Sequence, residues 1–314
     1  MQALDLSCRP FKHRFTFIDL FAGIGGFHIA ASSLGGKCVF ASEIDSYARE
    51  AYVKNYGISP AGDITKVKAK DIPNHDVLLA GFPCQPFSII GNRMGFDDIR
   101  GTLFFDIVRI LKEKQPSLFV LENVKQLSTH NKGETLSTIL KNLKQLGYNV
   151  YWSVLNALDY SLPQKRERIV FVDFKLCHIS FEFPKKLKMQ PLSSIIEKRK
   201  KIDKKHFASK EIAKKRKKAH KSSFSPAIWH ENKSGNISSY PFSCALRAGA
   251  SYNYLLVDGA RRLTPREQLR LQGFPDSFKI VCNDGQTRKQ AGNAVPVPMI
   301  REVLRKALEC LSQN

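Results

Sequence analysis

Residues 15–26 read Phe15-Thr16-Phe17-Ile18-Asp19-Leu20-Phe21-Ala22-Gly23-Ile24-Gly25-Gly26. An apolar run gives way to a glycine-rich turn, and helix-forming sequence follows to Leu34. This predicts a strand over 15–21 and a helix over 25–34 joined by a tight turn, where glycine lets a ligand approach the backbone closely. The spacing is shorter than the G-x-G-x-x-G dinucleotide fingerprint. Working outward, strands are expected over 37–42, 76–81, 117–122, 148–155 and 168–174. Helices are expected over 45–56, 102–114 and 133–146, the last ended by Gly147. Apolar strands alternating with amphipathic helices predict an α/β, doubly wound, Rossmann-like sheet. Ligands bind such sheets at the carboxyl ends of the strands.

Two acids strengthen that expectation. Glu43 follows strand 37–42, where a carboxylate can accept hydrogen bonds from a ribose. Asp63 stands in Gly62-Asp63-Ile64, where it could meet an adenine amino group. No G-x-x-x-x-G-K-[ST] phosphate loop is present. A nucleoside pocket without a phosphate site suggests S-adenosylmethionine.

Residues 81–88 read Gly81-Phe82-Pro83-Cys84-Gln85-Pro86-Phe87-Ser88. The prolines end the preceding strand and stiffen the loop, so the Cys84 thiol is expected at the edge of the sheet. Glu122, in Leu121-Glu122-Asn123-Val124, should lie on the same edge, and burial there would raise its pKa toward neutrality. Gln164-Lys165-Arg166-Glu167-Arg168 precedes an apolar strand, and alternation puts Arg166 and Arg168 on one side of it. Paired guanidiniums suit phosphate and base-oxygen contacts. The segment 89–100, with Gly91 and Gly95, is expected to be a lid beside Cys84.

The chain has 314 residues and a net charge of +22, a surplus that suggests a polyanionic partner. The seven cysteines are scattered and none forms a C-x-x-C pair, so neither a zinc site nor a disulfide framework is expected; a reducing cytoplasm fits. The first residues do not read as a signal peptide, and no apolar run is long enough to span a membrane. Basic residues crowd 185–221, and 222–260 is richer in Ser, Gly, Asn and Tyr. These features suggest a discontinuous catalytic, cofactor-binding domain over 1–175 and 261–314, with a smaller, irregular, Lys/Arg-rich target-recognition region over 176–260. A final helix is expected over 295–311, returning to the first domain.

Taken in order, these motifs resemble the bacterial-type DNA (cytosine-5) methyltransferases. The similarity covers about 16–174 and 262–300. It includes Gly101-Thr102-Leu103-Phe104-Phe105-Asp106, Arg262-Leu263-Thr264-Pro265-Arg266-Glu267, Arg270-Leu271-Gln272-Gly273-Phe274-Pro275 and Gly292-Asn293-Ala294-Val295-Pro296. The resemblance implies transfer of a methyl group from S-adenosylmethionine to carbon 5 of a flipped-out cytosine in double-stranded DNA. It implies Cys84 as nucleophile, Glu122 engaging the cytosine, and Arg166 and Arg168 steadying the base and nearby loop. Phe21 would stack on adenine, Glu43 would hold the ribose and Asp63 the adenine amino group. Gly23, Ile24, Gly26, Ile44, Ile64, Pro83, Leu103 and Asn293 would line the cofactor pocket, Ile44 at a position often aromatic in the family. No metal is implied. A monomer in the bacterial cytoplasm, acting beside a separate restriction endonuclease, is the expected setting. A tRNA methyltransferase with the same core, or an inactive DNA-binding relative, is the alternative. Arg247 and Asn253 are candidates for reading bases.

Overall fold

In the computed structural model, residues 15–83, 103–175, 179–232, 234–249 and 255–313 are described. Twelve strands and eight helices occur among them. The first part runs β1 (Thr16–Leu20), α1 (Gly26–Ser32), β2 (Lys37–Ser42), α2 (Ser46–Tyr56), β3 (Val77–Gly81), α3 (Leu103–Lys114), β4 (Leu118–Val124) and α4 (Glu134–Gln145). It continues through β5 (Tyr151–Asn156), β6 (Gln164–Lys165) and β7 (Glu167–Phe174). Then come α5 (Lys210–Ala219), β8 (Ile228–Glu231), β9 (Ile237–Tyr240), β10 (Ser243–Cys244), β11 (Leu256–Val257) and β12 (Arg261–Arg262). Helices α6 (Pro265–Leu271), α7 (Asp284–Asn293) and α8 (Val297–Ser312) complete the chain.

The main sheet has the order β2-β1-β3-β4-β7-β5. β1, β2, β3 and β4 pair in parallel, whereas β7 is antiparallel to both β4 and β5. The central strands read as largely apolar stretches because both faces are covered. Phe17, Val77, Leu79, Val120 and Val172 point into a core shared with α1 and α8. Ile18, Leu78, Ala80, Phe119 and Phe171 point into the opposite core, shared with α3 and α4. The chain leaves β1 to one side for β2 and returns to its other side for β3. That reversal opens a crevice beyond the carboxyl ends of β1 and β3, where ligands bind such sheets.

α8 buries Met299, Ile300, Val303, Leu304 and Ala307, a helical stripe that seats it on the core of α1. The final helix thus packs against the helix that follows β1. The region before it is not wholly irregular. β12-β11-β8-β9 form a four-stranded antiparallel sheet, and β10 pairs with β6.

One buried acid pins both ends of that region. Glu267, fully buried, takes two bonds from Arg261, at 2.7 and 2.6 Å, and one from the Glu197 backbone N–H at 2.8 Å. It also completes a capping box with Thr264 at the start of α6. A buried charge of this kind is tolerated only when paired and fully hydrogen-bonded.

Candidate active site

The turn after β1 is shaped by its neighbours. Phe21 and Gly23 both have φ of 55°, and Gly25 has φ of 85°. A Cβ on Gly25 would lie 2.3 Å from the Tyr56 ring, so this close approach admits only glycine. The Tyr56 hydroxyl donates to the Ile24 carbonyl at 2.9 Å and its ring stacks on His28 at 4.0 Å. Burial lowers the His28 pKa to about 4, so the imidazole is neutral, and its Nδ1 lies 2.7 Å from the Tyr52 hydroxyl. These polar aromatics form a rigid floor under the glycine turn.

Glu43 follows β2 and fixes the same turn from the other side. Its Oε2 accepts from the Gly23 N–H and its Oε1 from the Asp45 N–H, both at 2.7 Å. Asp63 caps a short turn over Ile64–Lys66, its Oδ1 accepting from both the backbone N–H and hydroxyl of Thr65. Those hydrogen bonds hold its carboxyl below the usual aspartate value. α7 closes the opposite wall. Lys289 Nζ lies 2.7 Å from Asp45 Oδ2, and Gln290 donates to the Tyr47 carbonyl at 3.1 Å.

Between these walls lies a cavity of about 550 Å³. Phe21, Gly23, Ile24, Gly26, Glu43, Ile44, Asp63, Ile64, Pro83, Leu103 and Asn293 all line it. Glu122, Arg166 and Arg168 line its inner end, so one space joins the expected cofactor residues to the expected catalytic ones. Ile44 is 71% exposed at its rim.

β3 and β4 place Gly81 directly beside Glu122 in register. Burial raises the Glu122 pKa, and the charges of Arg168 and then Arg166 oppose the rise. Arg168 Nε is 2.8 Å from Glu122 Oε1. Arg166 behaves differently from its neighbour. It is 1% exposed, and it donates to the carbonyls of Leu246, Gly292 and Ala294 at 2.8, 2.9 and 2.9 Å. It thus braces the segment after β10 against the end of α7, as well as bearing on Glu122.

Two positioning residues were not singled out from the sequence. Asn123 donates to the Phe82 carbonyl at 3.0 Å and so ties the end of β4 to the segment entering Pro83. Gln164, fully buried, donates to the Leu271 carbonyl at 2.8 Å and accepts from the Leu246 N–H at 2.9 Å. Cys84, the expected lid 89–100 and Asn253 lie outside the described residues. Arg247 lines a separate pocket with Lys205, Arg262 and Arg288. Among the described residues, no group of three or more His, Cys, Asp or Glu is arranged to hold a metal, and no helix is long and apolar enough to cross a membrane.

The family model for C-5 cytosine-specific DNA methylases matches residues 15–309. The chain belongs to that family. It is 54% identical to Type II methyltransferase M.NgoBI of Neisseria gonorrhoeae, over 94% of this chain and 93% of the relative. It is 53% identical to Type II methyltransferase M.HaeII of Haemophilus aegyptius, with the same coverage of 94% and 93%. The solved structure of the S. pombe Dnmt2 methyltransferase matches with a TM-score of 0.70 at 20% identity, over 95% of this chain and 99% of that one. That last likeness bears on the fold alone. In this C-5 cytosine-specific methylase, the family's α/β sheet brings a glycine turn, a capped acid and a buried glutamate to one cavity.

Proposed function

We propose that this protein methylates carbon 5 of cytosine in a specific duplex DNA sequence, with S-adenosylmethionine as donor and Cys84 as nucleophile. The observation that carries the reading is the pairing of Gly81 with Glu122 beneath the cavity. Cys84 follows Gly81 by three residues, and Asn123 holds the intervening Phe82. In sequence Cys84 follows the strand that pairs with the one carrying the buried Glu122, and Gly81 and Glu122 both line a pocket with room for a nucleoside.

The pocket residues fit S-adenosylmethionine. Glu43 stands at the end of β2, where a ribose is held in folds of this kind, and no lysine of a phosphate loop follows the glycine turn. Phe21 offers a ring face and Asp63 a carboxylate at the same cavity. When bound, the cofactor supplies an electrophilic methyl group. The chain's task is to make carbon 5 of cytosine nucleophilic. Cys84, as thiolate, adds to carbon 6 and leaves carbon 5 enamine-like. Glu122, its pKa raised by burial, holds a proton at ring nitrogen 3 and prevents charge from building on the base. Arg168 fixes the Glu122 carboxyl, and Arg166 fixes the walls on either side. Loss of the carbon-5 proton and elimination of Cys84 complete the cycle. The base must leave the duplex stack, at a cost of about a few kcal/mol.

Residues 176–260 serve in this reading as the target-recognition region, with 1–175 and 261–314 forming the catalytic domain. Two curated relatives above 50% identity are Type II methyltransferases, which supports DNA over tRNA as substrate and a cytoplasmic restriction-modification setting with a separately acting endonuclease. In this reading the active form is a monomer.

Methyl incorporation from labelled donor into duplex DNA and into tRNA, followed by bisulfite sequencing, tests the substrate. DNA containing 5-fluorocytosine should trap a covalent adduct that Cys84→Ser abolishes. Incorporation into tRNA alone, or an adduct that survives Cys84→Ser, overturns the proposal.

A further inference from the structure

We infer that α5 is a sequence-independent docking surface for the DNA backbone, separate from the site that acts on the base. The inference rests on the DNA reading above and concerns how the protein holds the duplex. Residues 185–221 carry sixteen lysines and arginines against three acids, more than half of the chain's net +22. α5 lies at the centre of this excess.

Its construction is unusual for a helix of a folded region. No residue of α5 is buried. It is held to the small sheet by Arg216, whose Nη2 lies 2.8 Å from Glu231 Oε2 on β8. His220, just past its end, meets Ser239 Oγ on β9 at 2.8 Å and sets its ring edge-on to Trp229. Away from that anchor, Lys210, Lys214, Lys217 and Lys218 follow the i, i+4, i+7, i+8 spacing of a single helix face. All four are exposed, and none has an ion-pair partner among the described residues. Lysines four apart repel one another, so this face opposes the helix that displays it. A polyanion removes that penalty.

The dimensions fit duplex DNA. From Lys210 to Lys218 the helix spans about 12 Å, a length in which one strand presents about 3–4 phosphates. Lysine is a point charge without a planar fork, suited to phosphates whatever the sequence. A membrane surface fits poorly, because an interfacial helix needs a broad apolar face to bury. Ile212 is the one large apolar side chain on α5, and Arg216 on the anchored side is committed to Glu231.

The test uses the full chain and an arbitrary-sequence duplex, with affinity followed by fluorescence anisotropy across a sodium chloride series. The Lys210→Gln, Lys214→Gln, Lys217→Gln, Lys218→Gln variant should show a log–log salt slope shallower by about 3–4. The same four positions changed to Arg should keep the original slope. A control with Lys112, Lys132, Lys141 and Lys144 changed to Gln should lose less than about 1. If the fourfold Gln variant fails to fold, Lys217→Gln with Lys218→Gln should still reduce the slope by about 2. The inference falls if the α5 slope changes by less than about 1 in a folded variant. It also falls if the control loses as much, or if α5 lysines govern binding to phosphatidylserine vesicles or RNA but not to duplex DNA. Methyl incorporation by the unaltered protein reports separately on the proposed function, so either idea can fail alone.

Discussion

Arg168 Nε lies 2.8 Å from Glu122 Oε1, across the antiparallel β4–β7 pair. The guanidinium orients the carboxyl while burial pushes its pKa up. Glu122→Gln should reduce methyl transfer by about 10²–10⁴-fold, the usual range for a proton-managing side chain, without lowering the melting temperature at pH 8. Arg168→Ala leaves the carboxyl buried and unpaired, which raises its pKa further above the unfolded value. Stability from such a group is present at low pH and lost as pH rises through the folded pKa. The Arg168→Ala deficit should therefore grow from pH 5 to pH 8, reaching about 3 kcal/mol in urea unfolding. A deficit independent of pH would show that the pair does not couple in this way.

Arg166 should act as a brace. Arg166→Met removes donors from the Leu246, Gly292 and Ala294 carbonyls. Buried acceptors left without partners cost about 1–3 kcal/mol each, so unfolding should become easier by at least about 3 kcal/mol. Gly292 and Ala294 also line the cavity, and affinity for S-adenosylhomocysteine in calorimetry should fall with them. Arg166→Lys should be only partly effective, because one ammonium cannot reproduce the fork. Unchanged stability in Arg166→Met would remove the structural role.

If the proposed function is right, Glu43→Ala should weaken donor binding selectively. The Gly23 and Asp45 N–H groups each lose a charged acceptor. Hydrogen bonds to charged groups are worth about 1.5–3 kcal/mol, so S-adenosylhomocysteine affinity should fall by about 10–100-fold. Isothermal titration measures it directly. Wild-type affinity in a folded Glu43→Ala protein would argue against this placement of the nucleoside.

Asp173 should make the protein less stable above neutrality. Burial on β7 raises its carboxyl from 3.8 to about 6, against the backbone N–H bonds of Phe174 and Asn149. The folded state therefore binds the proton more tightly than the unfolded state does. Stability falls as pH rises through that interval, and the loss is complete above it. Asp173→Asn should be more stable at pH 8, by up to about 3 kcal/mol, and nearly equal to the parent near pH 4. Thermal melts at the two pH values decide the matter.

The central sheet was legible in the sequence because its strands are covered on both sides, so β3 and the middles of β4 and β7 appear as apolar runs, and β1 is broken only by the buried Asp19. The ends needed the structure. The first strand stops at Leu20, before Phe21 turns to positive φ, and the strand expected from Tyr148 begins at Tyr151. β8 to β12 are two to four residues long, too short for alternation to register. α7, Asp-Gly-Gln-Thr-Arg-Lys-Gln-Ala-Gly-Asn, buries only small and polar residues and offers no apolar stripe to read. Alternation paired Arg166 with Arg168, yet their guanidiniums go to different partners, Arg166 to carbonyls from 246, 292 and 294. Gln164 reaches residues 82 and 107 positions away, and such long-range polar bonds leave no period in a chain.

The wall built from α7 has a consequence for how the protein comes into being. Lys289 reaches Asp45 across 244 positions of sequence. A nascent chain emerging from the ribosome carries Glu43, Asp63 and the glycine turn long before it carries that wall. The cavity between these walls stays open-sided until synthesis has passed residue 293, so the growing polypeptide must fold the first sheet without that wall. Newly made protein gains the capacity to modify DNA only once that wall has been synthesised and folded against the first sheet.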